Sequence, residues 1–293
     1  MTLREKLNSN TFIITAEIAP PRGINWEKTI KEIDPLRDKV DAFNVTDCQR
    51  SMLRMSSIAM SKILLDNGFE PILQITCRDR NRIALQSELL GAAAFGIQNV
   101  CLMTGDFTTL GDVPQAKPVF DLDSVQLIKS VSDMNKGKLI NGKDLDKPTS
   151  FTIGAVYNPF AGPPKLQVWK LEKKIRAGAT FIQTQPVYDL KKAKEVTEII
   201  RDLGGKAIIG LLPIRSVKMA NFIEKLNPGS VPESLKKAIE NAEKPAEYGW
   251  KYTIELAKAI SEFADGVHFM LVGKVKELAD FITYLRNNHR RYE

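Results

Sequence analysis

The sequence predicts an α/β fold: a closed, eight-stranded parallel (β/α)8 barrel of the TIM type, with extra helices before the last strand. Short apolar, β-branched runs alternate with longer stretches of helical periodicity, and the cycle recurs eight times along the 293 residues. Several runs, IIGLLPI and NVCLM among them, are apolar throughout, as strands are when helices cover one face and a packed barrel fills the other. No G-x-G-x-x-G follows the first run to favour an open dinucleotide-binding sheet, and a barrel of this size folds as one unit. A single domain over residues 1–293 is expected.

In chain order, the first strand is placed at 12–18, where Pro20 and Pro21 stop it and stiffen its exit. Further strands are placed at 41–46, 71–76, 99–104, 150–157, 181–187, 207–214 and 266–272. Helices are placed between them, for example at 56–67, 80–95, 166–177 and 190–203. The helix ends are punctuated by LLDNG, LLGAAAFG, KIRAGA and RDLGG, because glycine takes the left-handed turn that stops a helix. Segment 136–147, rich in Gly, Asn, Asp and Lys, reads as an exposed loop before the fifth strand. Segment 227–264 is too long for one connection and is expected to hold two extra helices, ESLKKAIENAE and 248–263.

Hydrophobic residues make up 43% and charged residues 26% of the chain, the balance of an ordinary globular protein with material for a sizeable core, so disorder is not the expectation. No apolar run reaches the roughly 18–20 residues that span a bilayer, and MTLREKLNSN lacks the basic-then-apolar order of a secretion signal, so a cytoplasmic location is expected. Cys48, Cys77 and Cys101 are odd in number and show no C-x-x-C spacing; with only His268 and His289 beside them, neither a disulfide framework nor a metal site is expected. A net charge of +7 attracts nucleic acid, a membrane surface or a small anion alike. The lysines alternate with acids in LKKAKE and ESLKKAIE, which reads as solvated helix faces, so no nucleic-acid partner is expected.

Barrels of this kind bind ligands at the carboxyl ends of their strands. Glu17 stands near that end of an otherwise apolar strand, where a carboxylate is costly unless it is paired with an Arg or Lys, protonated, or used. The residues alone leave those readings open. Thr46 and Asp47, Gln74 and Thr76, Thr104, Gly105 and Asp106, Tyr157 and Asn158, Gln183 and Gln185, and Lys274 fall on the same rim. Any one of them can merely satisfy a backbone group, but the set outlines a pocket.

The strings TAEIAPPRG, NVTD, QITCRDR, CLMTGD, KKIRAGATFIQTQPVYD and GLLPI occur in this order, and over nearly the whole chain the sequence resembles the methylenetetrahydrofolate reductase family. The resemblance implies a flavin-binding barrel that carries out a two-step hydride relay. A donor reduces the flavin, and the flavin reduces the one-carbon group of methylenetetrahydrofolate after its five-membered ring opens to an iminium ion. Glu17 matches the family's general acid, which delivers a proton to the departing nitrogen. Asp106 matches the aspartate between flavin and pterin, whose charge stabilises a cationic iminium. Gln185 matches a folate-contacting glutamine, and Lys274 falls on a folate-contact position. Thr46, Gln74, Thr104, Gly105, Tyr157 and Lys174 fall on flavin-contacting positions.

Departures from the family pattern accompany these matches. Ala161 stands near the place of a histidine, Thr104 and Lys274 replace arginines, and Val217 replaces a substrate-stacking phenylalanine. The implied cofactor is FAD, with the shorter FMN as the alternative. The implied donor is NADH or NADPH, or an electron-transferring partner subunit, as in reductases of anaerobic one-carbon pathways. No C-terminal regulatory domain of the longer eukaryotic kind is expected, and an oligomer is. A pterin-binding barrel that transfers methyl groups without flavin is the rival reading.

Overall fold

The computed structural model describes residues 1–9, 11–270 and 275–288. Eight parallel strands close into a barrel in sequence order: β1 (Ile13–Ile18), β2 (Ala42–Val45), β3 (Pro71–Thr76), β4 (Asn99–Met103), β5 (Thr152–Tyr157), β6 (Phe181–Pro186), β7 (Lys206–Leu211) and β8 (Gly266–Met270). The helices are α1 (Leu3–Leu7), α2 (Trp26–Ile33), α3 (Ser57–Asp66), α4 (Arg82–Ala94), α5 (Ser124–Met134), α6 (Pro164–Ala177), α7 (Leu190–Asp202), α8 (Val217–Leu226), α9 (Glu233–Asn241), α10 (Pro245–Ser261) and α11 (Val275–Asn288). The two extra helices expected before the last strand are α9 and α10, and α8 precedes them. None of the described helices is long and apolar enough to cross a membrane.

Each strand runs within a few residues of its expected bounds. β7 stops at Leu211 rather than at residue 214, because Pro213 has no N–H to continue a ladder. The last two residues expected in β8 lie outside the described residues. Helix entries follow capping chemistry. Ser56, Asn81, Asp123, Asp189 and Ser216 each accept a backbone N–H of the first turn of the helix that follows.

Alternation along the strands sorts side chains into two cores. Outward residues such as Ile14, Val45, Leu73, Val100, Ala155, Tyr157, Ile182 and Ile209 pack against the helices. Inward residues Ile13, Ala42, Ile72, Cys101, Phe181 and Ile208 fill the lower barrel, and Leu3 and Leu7 of α1 close it from below. α1 is fastened to the beginnings of strands: Leu3 N–H donates to Glu70, Arg4 to Ser150 and Thr152, and Lys6 pairs with Asp41. Phe181 occupies the space a side chain at Gly154 would need, since a Cβ there falls 2.2 Å from the ring. Burial pushes the Cys77 and Cys101 thiols up to about 12, which leaves them as inert packing groups.

Candidate functional site

Two residues further up β1, β2, β6 and β8, the barrel interior turns polar. Thr15, Asn44, Gln183 and His268 are buried and bonded to one another. Asn44 and Gln183 exchange amide hydrogen bonds of 2.6 and 2.9 Å, Gln183 Nε2 also donates to Thr15 Oγ1 at 3.2 Å, and Thr15 Oγ1 lies 2.9 Å from His268 Nδ1. The other imidazole nitrogen, Nε2, is 3.8 Å from Glu17 Oε2. Glu17 Oε1 accepts from Gln49 Nε2 at 3.1 Å. The carboxyl is thus the upper end of a polar chain, its side chain 15% exposed to the barrel mouth. Among the described residues its partners are an amide and an imidazole rather than the Arg or Lys a structural pairing would use.

Gln49 belongs to a tight turn, Gln49–Ser51, that follows β2 in a conformation L-residues avoid: Cys48, Arg50 and Ser51 have φ of 45, 56 and 56°. Left-handed backbone costs roughly 1–2 kcal/mol per such residue, so neighbours must hold the turn. Ser51 Oγ donates to the Phe107 carbonyl at 3.0 Å, Leu53 N–H donates to Asp112 Oδ1 at 2.8 Å, and a Cβ at Gly111 would fall 1.9 Å from the Ser51 carbonyl oxygen. All three partners lie on the loop after β4, which carries Thr104, Gly105 and Asp106. The turn therefore reaches Glu17 with one residue and the Asp106 segment with another.

Asp106 is exposed at this rim, as is Thr104. Gly105 adopts φ +93°, and a Cβ there would come within 2.9 Å of Thr76 Cβ, so the loop can lie this close to β3 only without a side chain. Thr46 is buried, yet its Oγ1 has no hydrogen-bond partner among the described residues. Gln74 is buried on the inward face of β3, and Gln185 sits where the β6–β7 register shifts between Gln183 and Pro186. At that bulge the Gly210 N–H donates to Thr184 Oγ1 at 2.8 Å.

Not every rim residue joins this group. Asp47 is turned inward as an anchor: it accepts from Thr76 N and Oγ1, both at 2.9 Å, and from Arg80 at 2.7 and 3.1 Å. Asn158 ties the β5 exit to α8 through Asn227 at 2.6 Å. Tyr157 lies in the outer layer, and Lys174 Nζ donates to the Val156 carbonyl at 2.7 Å. Burial of that ammonium lowers its pKa. Lys274 lies outside the described residues. Sequence reasoning missed Gln49 and His268; the first carries no pattern, and the second was weighed only as a metal ligand. It also missed Phe222, an exposed ring five residues beyond Val217 on α8, over which the Arg50 guanidinium stands at 5.0 Å.

A flavin finds a fitting set of groups at this mouth. The orphaned Thr46 hydroxyl offers a hydrogen bond, and Gln74 supplies an amide with both donor and acceptor.

Comparison with known proteins places these residues in a lineage. A structure of an uncharacterized protein from Clostridium thermocellum that binds two copies of 5-methyl-5,6,7,8-tetrahydrofolic acid superposes with a TM-score of 0.67 at 18% identity, covering 98% of both chains. 2,3-Dimethylmalate lyase gives a TM-score of 0.55 at 11% identity over 98% of this chain and 87% of that one. At these identities the likeness shows the fold alone. A Caenorhabditis elegans protein described as a probable methylenetetrahydrofolate reductase (NADPH) is 24% identical over 242 residues, 76% of this chain and 34% of that protein, so the chain spans about a third of its relative's length. The family model for methylenetetrahydrofolate reductase matches residues 2–285, and the chain belongs to that family.

Proposed function

We propose that this chain reduces 5,10-methylenetetrahydrofolate to 5-methyltetrahydrofolate with a flavin held over the barrel mouth, residues 1–293 acting as one flavin-binding domain. The observation that carries the reading is the placement of Glu17: a carboxyl at the top of the barrel's polar chain, open to the mouth, with the Asp106 loop fastened to the turn that also holds Glu17. Family membership and the folate bound by the C. thermocellum fold relative support it.

Each residue then has a task. Glu17 gives a proton to the folate nitrogen that departs when the five-membered ring opens. Asp106, exposed and acceptor-only, faces the cationic iminium that results and takes the amino-pyrimidine edge of the pterin. Gln185 at the β6 bulge and Lys274 are the folate contacts. Thr46, Gln74, Thr104 and Gly105 hold FAD or FMN, with Tyr157 and Lys174 supporting β5 from the outer layer behind them. The flavin, when bound, supplies the hydride transfer; the chain supplies orientation and charge. NADH, NADPH or a partner protein is the electron source, and a cytoplasmic oligomer is the expected setting.

The test separates the half-reactions. Glu17→Gln should leave flavin reduction within about twofold of wild type and slow methylene reduction by roughly 10²–10⁴-fold. Equal loss in both steps, or a purified protein that binds folate without a flavin chromophore, would remove this reading in favour of a flavin-free pterin barrel. Mass measurement of the released flavin tells FAD from FMN.

A further inference from the structure

We propose that His268 is a positioning residue for Glu17, held in one tautomer by the Asn44–Gln183–Thr15 chain so that its Nε2–H faces the carboxyl; this rests on the role given to Glu17 above. The argument is a count of hydrogens. The Gln183 amide has two, one donated to Asn44 Oδ1 at 2.9 Å and one to Thr15 Oγ1 at 3.2 Å. Thr15 Oγ1, accepting from Gln183, has its own proton to place. Its two acceptors are His268 Nδ1 at 2.9 Å and the Val267 carbonyl at 3.4 Å, and the nearer takes it. A neutral imidazole whose Nδ1 accepts carries its proton on Nε2. That nitrogen looks at Glu17 Oε2 from 3.8 Å, where a bare lone pair would repel the carboxylate left after proton transfer and an N–H attracts it.

The distance gives this donor its use. At 3.8 Å the contact is too long for a hydrogen bond, so His268 does little for the protonated acid. Once Glu17 has given up its proton, the new charge draws the N–H in, and the bond strengthens along the course of the transfer. Help that appears only as the proton leaves lowers the barrier instead of stabilising the starting state. Gln49 holds the other oxygen, so the carboxyl keeps its aim while Oε2 closes on the ring.

With two histidines in the chain, His289→Gln leaves His268 as the sole imidazole, and ¹⁵N-histidine labelling then reads its tautomer in the protein without substrate. The expected result is a protonated Nε2 and a bare Nδ1, retained in Thr15→Ser and lost in Thr15→Val. A proton on Nδ1 with Nε2 bare, or no change in Thr15→Val, would overturn the inference. In the flavin-loaded protein, His268→Leu should slow the folate half-reaction roughly ten- to a hundredfold and leave flavin reduction unchanged. An unchanged folate step overturns the positioning role. Glu17→Gln without effect on that step would overturn the Glu17 assignment and this role with it, whereas the tautomer is read independently of both.

Discussion

The lower and upper halves of the barrel interior are built from the same strands, two residues apart, and they differ in kind. Below, Ile13, Ala42, Ile72, Cys101, Phe181 and Ile208 pack without a polar atom to satisfy, sealed by Leu3 and Leu7. Above, Thr15, Asn44, Gln183 and His268 form a bonded chain that ends at a partly open carboxyl. The lower half contributes area removed from water and tolerates no gap, while the upper half is stable only because nearly every polar atom is spoken for. A barrel can therefore carry reactive groups at one end because the other end supplies the stability.

That contrast can be broken most sharply at Phe181. Phe181→Ala removes a fully buried ring facing Gly154 and should cost about 3–5 kcal/mol in urea unfolding, with activity per folded molecule largely kept. A loss under 1 kcal/mol would mean that the lower layer is not the main support. Next comes Arg80→Met at the upper rim. It strips Asp47 of its guanidinium but leaves the Thr76 donors, so about 2–3 kcal/mol is expected, together with weakened flavin binding as the Thr76–Gly105 contact loosens.

A pH experiment probes the lower half again. Burial raises the pKa of Asp265, but hydrogen bonds from Arg201 and the Ala207 N–H outweigh it and hold the carboxyl below its ordinary value. Its stabilising contribution is complete above the unfolded value near 3.9 and fades as pH falls through the lower, folded one. Thermal melting of Asp265→Asn against wild type should show a gap at pH 7 that narrows in acid; a gap that widens would reverse the assignment. The smallest expected effect is at Thr46→Val, which deletes a buried hydroxyl with no partner among the described residues. Stability should stay level or rise by up to about 1 kcal/mol while flavin affinity falls. A clear loss of stability would show that the hydroxyl serves the fold.

The strands were legible in the sequence because their apolar runs are continuous and their breaks are marked by glycine and proline. Only register-dependent ends were missed, as at Pro213. Glu17 was legible as an anomaly, a charge in an apolar strand, but not as a residue held by Gln49 and His268. Those contacts join positions 32 and 251 residues away, and no spacing rule links them. Asp47 shows the converse. Its place at a strand exit made it a site candidate, and folding made it an anchor for Arg80 and Thr76. Strand order gives the rim, whereas the rotamers at the rim depend on loops that meet only in the closed barrel.

The Gln49–Ser51 turn, contorted and braced by the loop after β4, makes two distant stretches of chain inseparable. An engineer who grafts either loop from a homologue, or lengthens one by a residue, will misplace the acid and the aspartate together. The pair has to be transplanted as a single part.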